Sequence, residues 1–425
     1  MYIENNPKEL AAMQEFHKGK KYGNWKKMIL LAMGLLTAGI LMSCGQSQET
    51  AGLKTEMEEC SGEDEKKAEG NTESAEAFRA SADDGVETAK EDAADMTQKF
   101  GETCIAEQTF EVELSEYSGK VWFVPCAPAE DGQDFSMQII QNDETLTDIP
   151  AYVPESLAGE CFQSLDAVSF YDVNYDGNTD IVLIETYGST SFAAVYYGFD
   201  RDVDVYGRQF TLQEQLSETI SGQAEQLTIP KIREFLALGK KNGEFAGFQE
   251  AYQAVSRLCE LENEEEMGYD LICFDEDDIP ELVTGVAGYY VSLYTYHDGM
   301  IYRLMDCWPY GAMGNAGYEY APGKNSLRNY NSDYAGAILY TTYMTMNEQY
   351  VLDTVVQIET CNFDDVNQNG FPDENEEESL GYYSVSHIDG IEVSEEECES
   401  YEAGEYEYME PKMNMEELQE RLNER

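Results

Sequence analysis

The stretch FYDVNYDGNTDIVLI, residues 170 to 184, sets Asp172, Asn174, Asp176, Asn178 and Asp180 at every second position, with Gly177 among them, between two apolar runs. Alternate residues of an extended strand share a face, so in a plain strand these carboxylates would stand together and repel. Something must offset that repulsion, and a hard cation would do so. Ca²⁺ takes about six to eight oxygens, and Asp, Asn, Asp at loop positions 1, 3 and 5 with Gly at 6 is its usual ligand order. The expected unit is strand, calcium-binding turn, strand.

An EF-hand is excluded at this point, because it needs a helix on each side and a Glu at position 12, where this chain has Leu183 inside an apolar run. A second acidic turn of the same kind, DVNQNGFPDENE, supplies Asp365, Asn367, Asn369, Gly370, the backbone carbonyl of Phe371, Asp373 and, at the twelfth position, Glu376. Pro372 removes a backbone donor that an EF-hand would use, so this turn too is calcium-like without being an EF-hand. Another, CFDEDDIPEL, has Asp275, Asp277 and Glu281 but Cys273 at the first ligand position and Asp278 at the glycine position, and reads as degenerate. For all three the metal-free alternative is an Asx-rich turn that satisfies its own backbone.

The charge balance agrees with a cation partner. Acidic residues number 85 against 26 basic ones, for a formal charge of −59 over 425 residues. That balance disfavours nucleic acid and anionic membrane surfaces. A few Ca²⁺ ions neutralise only a small part of it, so most of the charge belongs to solvated surface or to a tether.

At the amino terminus, Lys18, Lys20, Lys21, Lys26 and Lys27 precede the apolar run of MILLAMGLLTAGILMSCGQ, which is short for a bilayer span. This pattern reads as a signal peptide over residues 1–43. The run ends Leu41, Met42, Ser43, Cys44, which resembles the lipobox of bacterial lipoproteins. The resemblance implies that Cys44 is acylated and becomes the mature terminus, with the protein lipid-anchored to the cell membrane and facing outward. The alternative is an uncleaved anchor helix with an incidental cysteine. Residues 44–104, rich in Glu, Asp, Ala, Ser, Thr and Gly, have too few bulky apolar residues to fold alone and read as a disordered acidic tether. Ten cysteines with no C-x-x-C pair suggest neither zinc ribbon nor thioredoxin-like chemistry, and setting Cys44 aside leaves an odd number, so no pairing follows.

From residue 105 the chain turns to short β-branched and aromatic runs separated by Gly, Asp, Asn and Pro. The expected fold class is α+β and β-rich: an antiparallel β domain over 105–227, then a smaller mixed α/β domain over 228–425. The second opens on a helix capped by Thr228 with Pro230 in its first turn, followed by a helix carrying Phe248, Tyr252, Val255 and Cys259 on one face. A short helix using Met415, Leu418 and Leu422 ends the chain.

The D-x-N-x-D-G-x-x-D pattern at 172–180 resembles the loops of VCBS and FG-GAP repeats, and D-x-N-x-N-G-x-P-D at 365–373 resembles thrombospondin type 3 calcium loops. Lipobox, acidic tether and the DDIPEL turn together resemble surface lipoproteins of Gram-positive gut clostridia. These likenesses imply structural calcium and a place at the cell surface, and no activity.

Catalysis finds little support. Only His297 and His387 follow Cys44, and neither lies in a recognisable catalytic motif. His297, before Asp298 and Gly299, reads as part of a hairpin turn. One segment, WPYGAMGNAGYEYAPGKN, combines Trp308, Tyr310, Tyr318 and Tyr320 with glycines and asparagines, a mixture suited to an exposed loop that stacks on a sugar or peptide. Its plainer alternative is an Ω-loop whose aromatics cover the core. The sequence therefore points to a lipid-anchored extracellular binding or assembly module with no nucleic-acid partner, its partner a surface glycan or protein. The alternative is an extracellular hydrolase acting on glycans or peptides.

Overall fold

The computed structural model describes residues 93–128, 135–199, 209–223, 227–263 and 266–424, all within one compact unit, Val86–Arg425. The signal peptide expected over 1–43, Cys44 and the expected tether as far as residue 92 lie outside the described residues. Among those described, no helix is long and apolar enough to cross a membrane.

The described residues form the β-rich α+β architecture expected, built from four antiparallel sheets with a layer of helices between the second and third. The first sheet is a meander of β1 (Phe110–Glu113), β2 (Lys120–Cys126), β3 (Ser136–Gln141) and β4 (Glu144–Pro150). The second runs β5 (Phe162–Tyr171), β6 (Asp180–Tyr187), β7 (Thr190–Gly198) and β8 (Phe210–Leu212). The third repeats the meander with β9 (Gly268–Ile272), β10 (Glu281–Val286), β11 (Tyr290–His297) and β12 (Met300–Pro309). The fourth has seven strands: β13 (Gly317–Ala321), β14 (Ser326–Asp333), β15 (Ile338–Met346), β16 (Leu352–Cys361), β17 (Val385–Ile388) and β18 (Ile391–Val393) in sequence, with β19 (Glu407–Tyr408) added beside β13.

Side-chain alternation sets how these sheets stack. On β6, Ile181 and Leu183 face the first sheet and pack with Phe123, Met137 and Ile139, whereas Val182 and Ile184 face the helices. The same division recurs on β10, where Leu282 faces the helices and Val283 faces the fourth sheet. Both strands are covered on both faces, which is why DIVLIETY and ELVTGV read as nearly continuous apolar runs without a polar alternation.

The helical layer holds α2 (Glu214–Gln223), α3 (Ile229–Ala237), α4 (Phe248–Glu262) and α6 (Met415–Glu424), while α5 (Glu395–Glu399) lies against the fourth sheet with Cys398 beside Ile358 and Tyr343. Helix α3 begins as its sequence requires: Thr228 caps it by accepting from Lys231 N at 3.4 Å, Pro230 sits in the first turn, and Leu238 in the left-handed region ends it. Val182 of the second sheet, Ile232 of α3, Tyr252 of α4, Leu282 of the third sheet and Leu418 of α6 belong to one core. The division placed at 227/228 therefore runs through a shared core, and the part beyond it, expected to be the smaller, holds two of the four sheets, the seven-stranded one included.

Residues 93–104 also differ from a tether. Ala93–Phe100 forms α1, in which Met96 and Phe100, one helical turn apart, pack with Cys104, Val124 and Trp122. Lys99 Nζ lies 3.9 Å from the Trp122 ring centroid. Two apolar residues at helical spacing are enough to dock this turn once a sheet is there to receive it.

Candidate functional site at the acidic turns

The three turns occupy equivalent structural places. The turn at 172–180 joins β5 to β6, that at 273–281 joins β9 to β10, and that at 365–376 lies between β16 and β17. In the first two, the acid that opens the following strand folds back on the turn. Asp180 Oδ2 accepts from Val173 N at 2.6 Å and its Oδ1 accepts from Gly198 N at 2.9 Å. Glu281 Oε2 accepts from Phe274 N at 2.7 Å and its Oε1 from the Thr295 hydroxyl at 3.3 Å. Both acids are 0% exposed. Burial pushes the Asp180 carboxyl well above the usual range and Glu281 up to about 8, with neighbouring acids of the same turn adding to each shift.

The first and third turns share one internal wiring. Asp176 N donates to Asp172 Oδ1 and Asn174 Oδ1, Gly177 N to Asp172 Oδ2, and Asn178 N to Asp176 Oδ1. In the third, Asn369 N donates to Asp365 Oδ1 and Asn367 Oδ1, Gly370 N to Asp365 Oδ2, and Phe371 N to Asn369 Oδ1. The left-handed residues match too: Tyr175 and Gln368 at φ 61° and 58°, then Gly177 and Gly370 at 82° and 79°. Each carboxylate oxygen that takes one N–H keeps a second lone pair, so this wiring leaves acceptor capacity for a cation. In the third turn Glu376, only 2% exposed, closes the loop by accepting from Asn367 N and Asp373 N, each at 3.3 Å. Asp373 Oδ2 accepts from Asn367 Nδ2 at 2.6 Å.

The first turn already faces a protein cation. Arg303 of β12 donates to Asp176 Oδ2 at 2.8 Å, and both side chains are largely buried. Burial opposes the guanidinium charge, but Asp306 and Asp176 outweigh it and hold Arg303 ionised. Asn242 Nδ2 donates to Asp172 Oδ2 at 3.0 Å and to Ile301 O, and its Oδ1 accepts from Ile301 N. The turn is thereby docked on β12. Burial, with Asp176 beside it, raises the Asp172 carboxyl to about 6.

The turn at 273–281, degenerate by its spacing, brings three carboxylates closest together: oxygens of Asp275, Asp277 and Glu281 all lie within 4.8 Å of one another. It keeps the bonds from Asp277 N to Asp275 Oδ1 and from Ile279 N to Asp277 Oδ1, and it rests on the β13–β14 hairpin, whose Asn325 N donates to Phe274 O at 2.8 Å. The signal that finds it in sequence is the acid seven residues beyond the turn's first buried apolar residue, Val173 to Asp180 and Phe274 to Glu281.

The aromatic segment takes another place. Tyr310, Tyr318 and Tyr320, each 7% exposed, belong to the core between the third and fourth sheets, and Trp308 packs on Tyr318 with ring centroids 5.7 Å apart. Their hydroxyls are bonded to Gly288 N, Pro309 O and Glu407 Oε2. These residues cover the core instead of forming an exposed stacking platform, since tyrosine buries its ring wherever its hydroxyl finds a partner. His297 ends β11 before a two-residue Asp298–Gly299 turn with both residues at positive φ. Comparison of the chain with protein-family models, with curated proteins and with solved structures gives no match.

Proposed function

We propose that the chain is an extracellular lipoprotein, anchored through Cys44, whose folded part is a cell-surface binding or assembly module stiffened by Ca²⁺ at its acidic turns. The observation that carries the cation reading is the convergence of Asp275, Asp277 and Glu281 within 4.8 Å. Three carboxylates so close repel one another when ionised, and a cation among them would relieve that repulsion. The shared wiring of the turns at 172–180 and 365–376 supports the same role for Asp172, Asn174, Asp176, Asn178, Asp180, Asp365, Asn367, Asn369, Asp373 and Glu376, with the Phe371 carbonyl as a backbone ligand.

Thermal melts of the full chain at neutral pH, with millimolar Ca²⁺ and then with chelator, test it. At a free concentration one hundred times Kd a site adds about 2.7 kcal/mol if the unfolded chain does not bind. The midpoint should fall on chelation, and the double change Asp275→Asn, Asp277→Asn should remove part of the shift. Equal midpoints with and without Ca²⁺ would return all three turns to metal-free Asx turns. The anchor has its own measurement: a fatty-acid probe should label the chain and leave Cys44→Ala unlabelled, and persistent labelling of that variant would remove the lipoprotein reading.

A further inference from the structure

On the outer ladder of the fourth sheet, a second kind of ligand set is assembled. Glu359 and Cys361 lie two residues apart on β16 and so share a face, and His387 of β17 is the direct cross-strand partner of Glu359. The result is a Glu359 carboxylate oxygen, Cys361 Sγ and a His387 ring nitrogen all within 4.8 Å of one another. Cys361 Sγ stands 3.8 Å from Glu359 Oε1, long for a thiol donor and weak as a bond. His387 Nδ1 is buried and has no hydrogen-bond partner. A buried ring nitrogen left unpaired costs free energy that native proteins seldom leave unmet, and it points to a group that completes the cluster.

We propose that Glu359, Cys361 and His387 form a Zn²⁺ site. The donor chemistry selects the ion. Ca²⁺ and Mg²⁺ take oxygen alone, whereas thiolate, imidazole and carboxylate together suit a borderline-soft ion that accepts four tetrahedral ligands. Three protein ligands leave one position for water, or for Glu392, which pairs with His387 from β18 on the same face. On binding, the Cys361 thiol gives its proton to solvent and its sulfur lone pair to the metal, so the step releases one proton and needs no oxidant. Neighbouring strands hold all three ligands, so the site is built before the ion arrives. This site shares no ligand with the acidic turns and does not rest on their binding calcium.

The test uses the full chain in excess Ca²⁺, so that the acidic turns are filled, titrated with Co²⁺ and then Zn²⁺. One equivalent of Co²⁺ should produce thiolate-to-metal charge-transfer absorption, and one equivalent of Zn²⁺ should abolish it. Cys361→Ser should remove the band, and His387→Gln should weaken Zn²⁺ binding by about tenfold or more, as loss of metal-site groups does. Cys398→Ser, on the opposite face beside Tyr343 and Ile358, should leave the titration unchanged. A band that survives Cys361→Ser, Zn²⁺ affinity unaltered by His387→Gln, or no band at all would each overturn the site. Should Cys361→Ser fold poorly, His387→Gln alone decides.

Discussion

A buried carboxyl in this protein is a proton reservoir before it is a ligand. Burial raises Glu281 to about 8, and Glu116, whose Oε1 accepts from Thr179 N at 2.8 Å, to about 7. Because both folded values exceed the ordinary 4.5, the folded state holds these protons more tightly than the unfolded chain does. The stability they contribute is fully present below about pH 4.5 and is lost as pH rises through about 7 to 8, at up to about 1.4 kcal/mol per pH unit for each group. In chelator the melting midpoint should therefore fall from pH 5 to pH 8. Ca²⁺ should flatten the fall by favouring the ionised turn. General charge repulsion acts in the same direction, so the discriminating comparison is Glu281→Gln, which should lower the slope; an unchanged slope would mean that Glu281 is not the group titrating. None of this was legible from the spacing of ligands. Cys273 and Asp278 break the calcium pattern in sequence, and although Glu281 keeps its ninth position, the burial that holds its proton is set by the strands packed around it.

Between turn and strand the important element is β12, which carries Arg303 under the first acidic turn and pins it together with Asn242. Arg303→Met should leave Asp176 buried without its counter-charge, a loss of about 3–5 kcal/mol for a broken buried pair. Urea unfolding in chelator should show that loss, and Ca²⁺ should restore part of it by taking the place of the guanidinium. The same loss with and without Ca²⁺ would mean that the first turn takes no ion. Such docking is invisible in sequence because Asp176 and Arg303 are remote along the chain, whereas the elements themselves were plain. The strand after the first acidic turn was legible, and it runs Asp180–Tyr187 because turn residues bound it on both sides. Helix α4 was legible because Tyr252, Val255 and Cys259 recur at helical spacing and all are buried. Helix α1 was not, since Met96 and Phe100 sit in an acidic context and gain their partners from residues beyond the helix, Cys104, Trp122 and Val124 among them. The aromatic segment was ambiguous for a related reason: tyrosine serves core and contact surface equally well, and only the positions of Gly288 and Glu407 decide between them.

For the molecule as a unit, the decisive feature is the helical layer between the second and third sheets. Chains 93–227 and 228–425 produced separately should each fail to show a cooperative thermal transition, because Val182 and Ile184 on one and Tyr252, Leu282 and Leu418 on the other cover each other. A sharp melt from either fragment alone would establish it as an independent domain. The second and third sheets, each with its buried acid and acidic turn, look like interchangeable beads, yet each has given one of its faces to the same helices. A chain broken at residue 228 would bare apolar surface on both pieces, since each half covers the other's side of the helical layer.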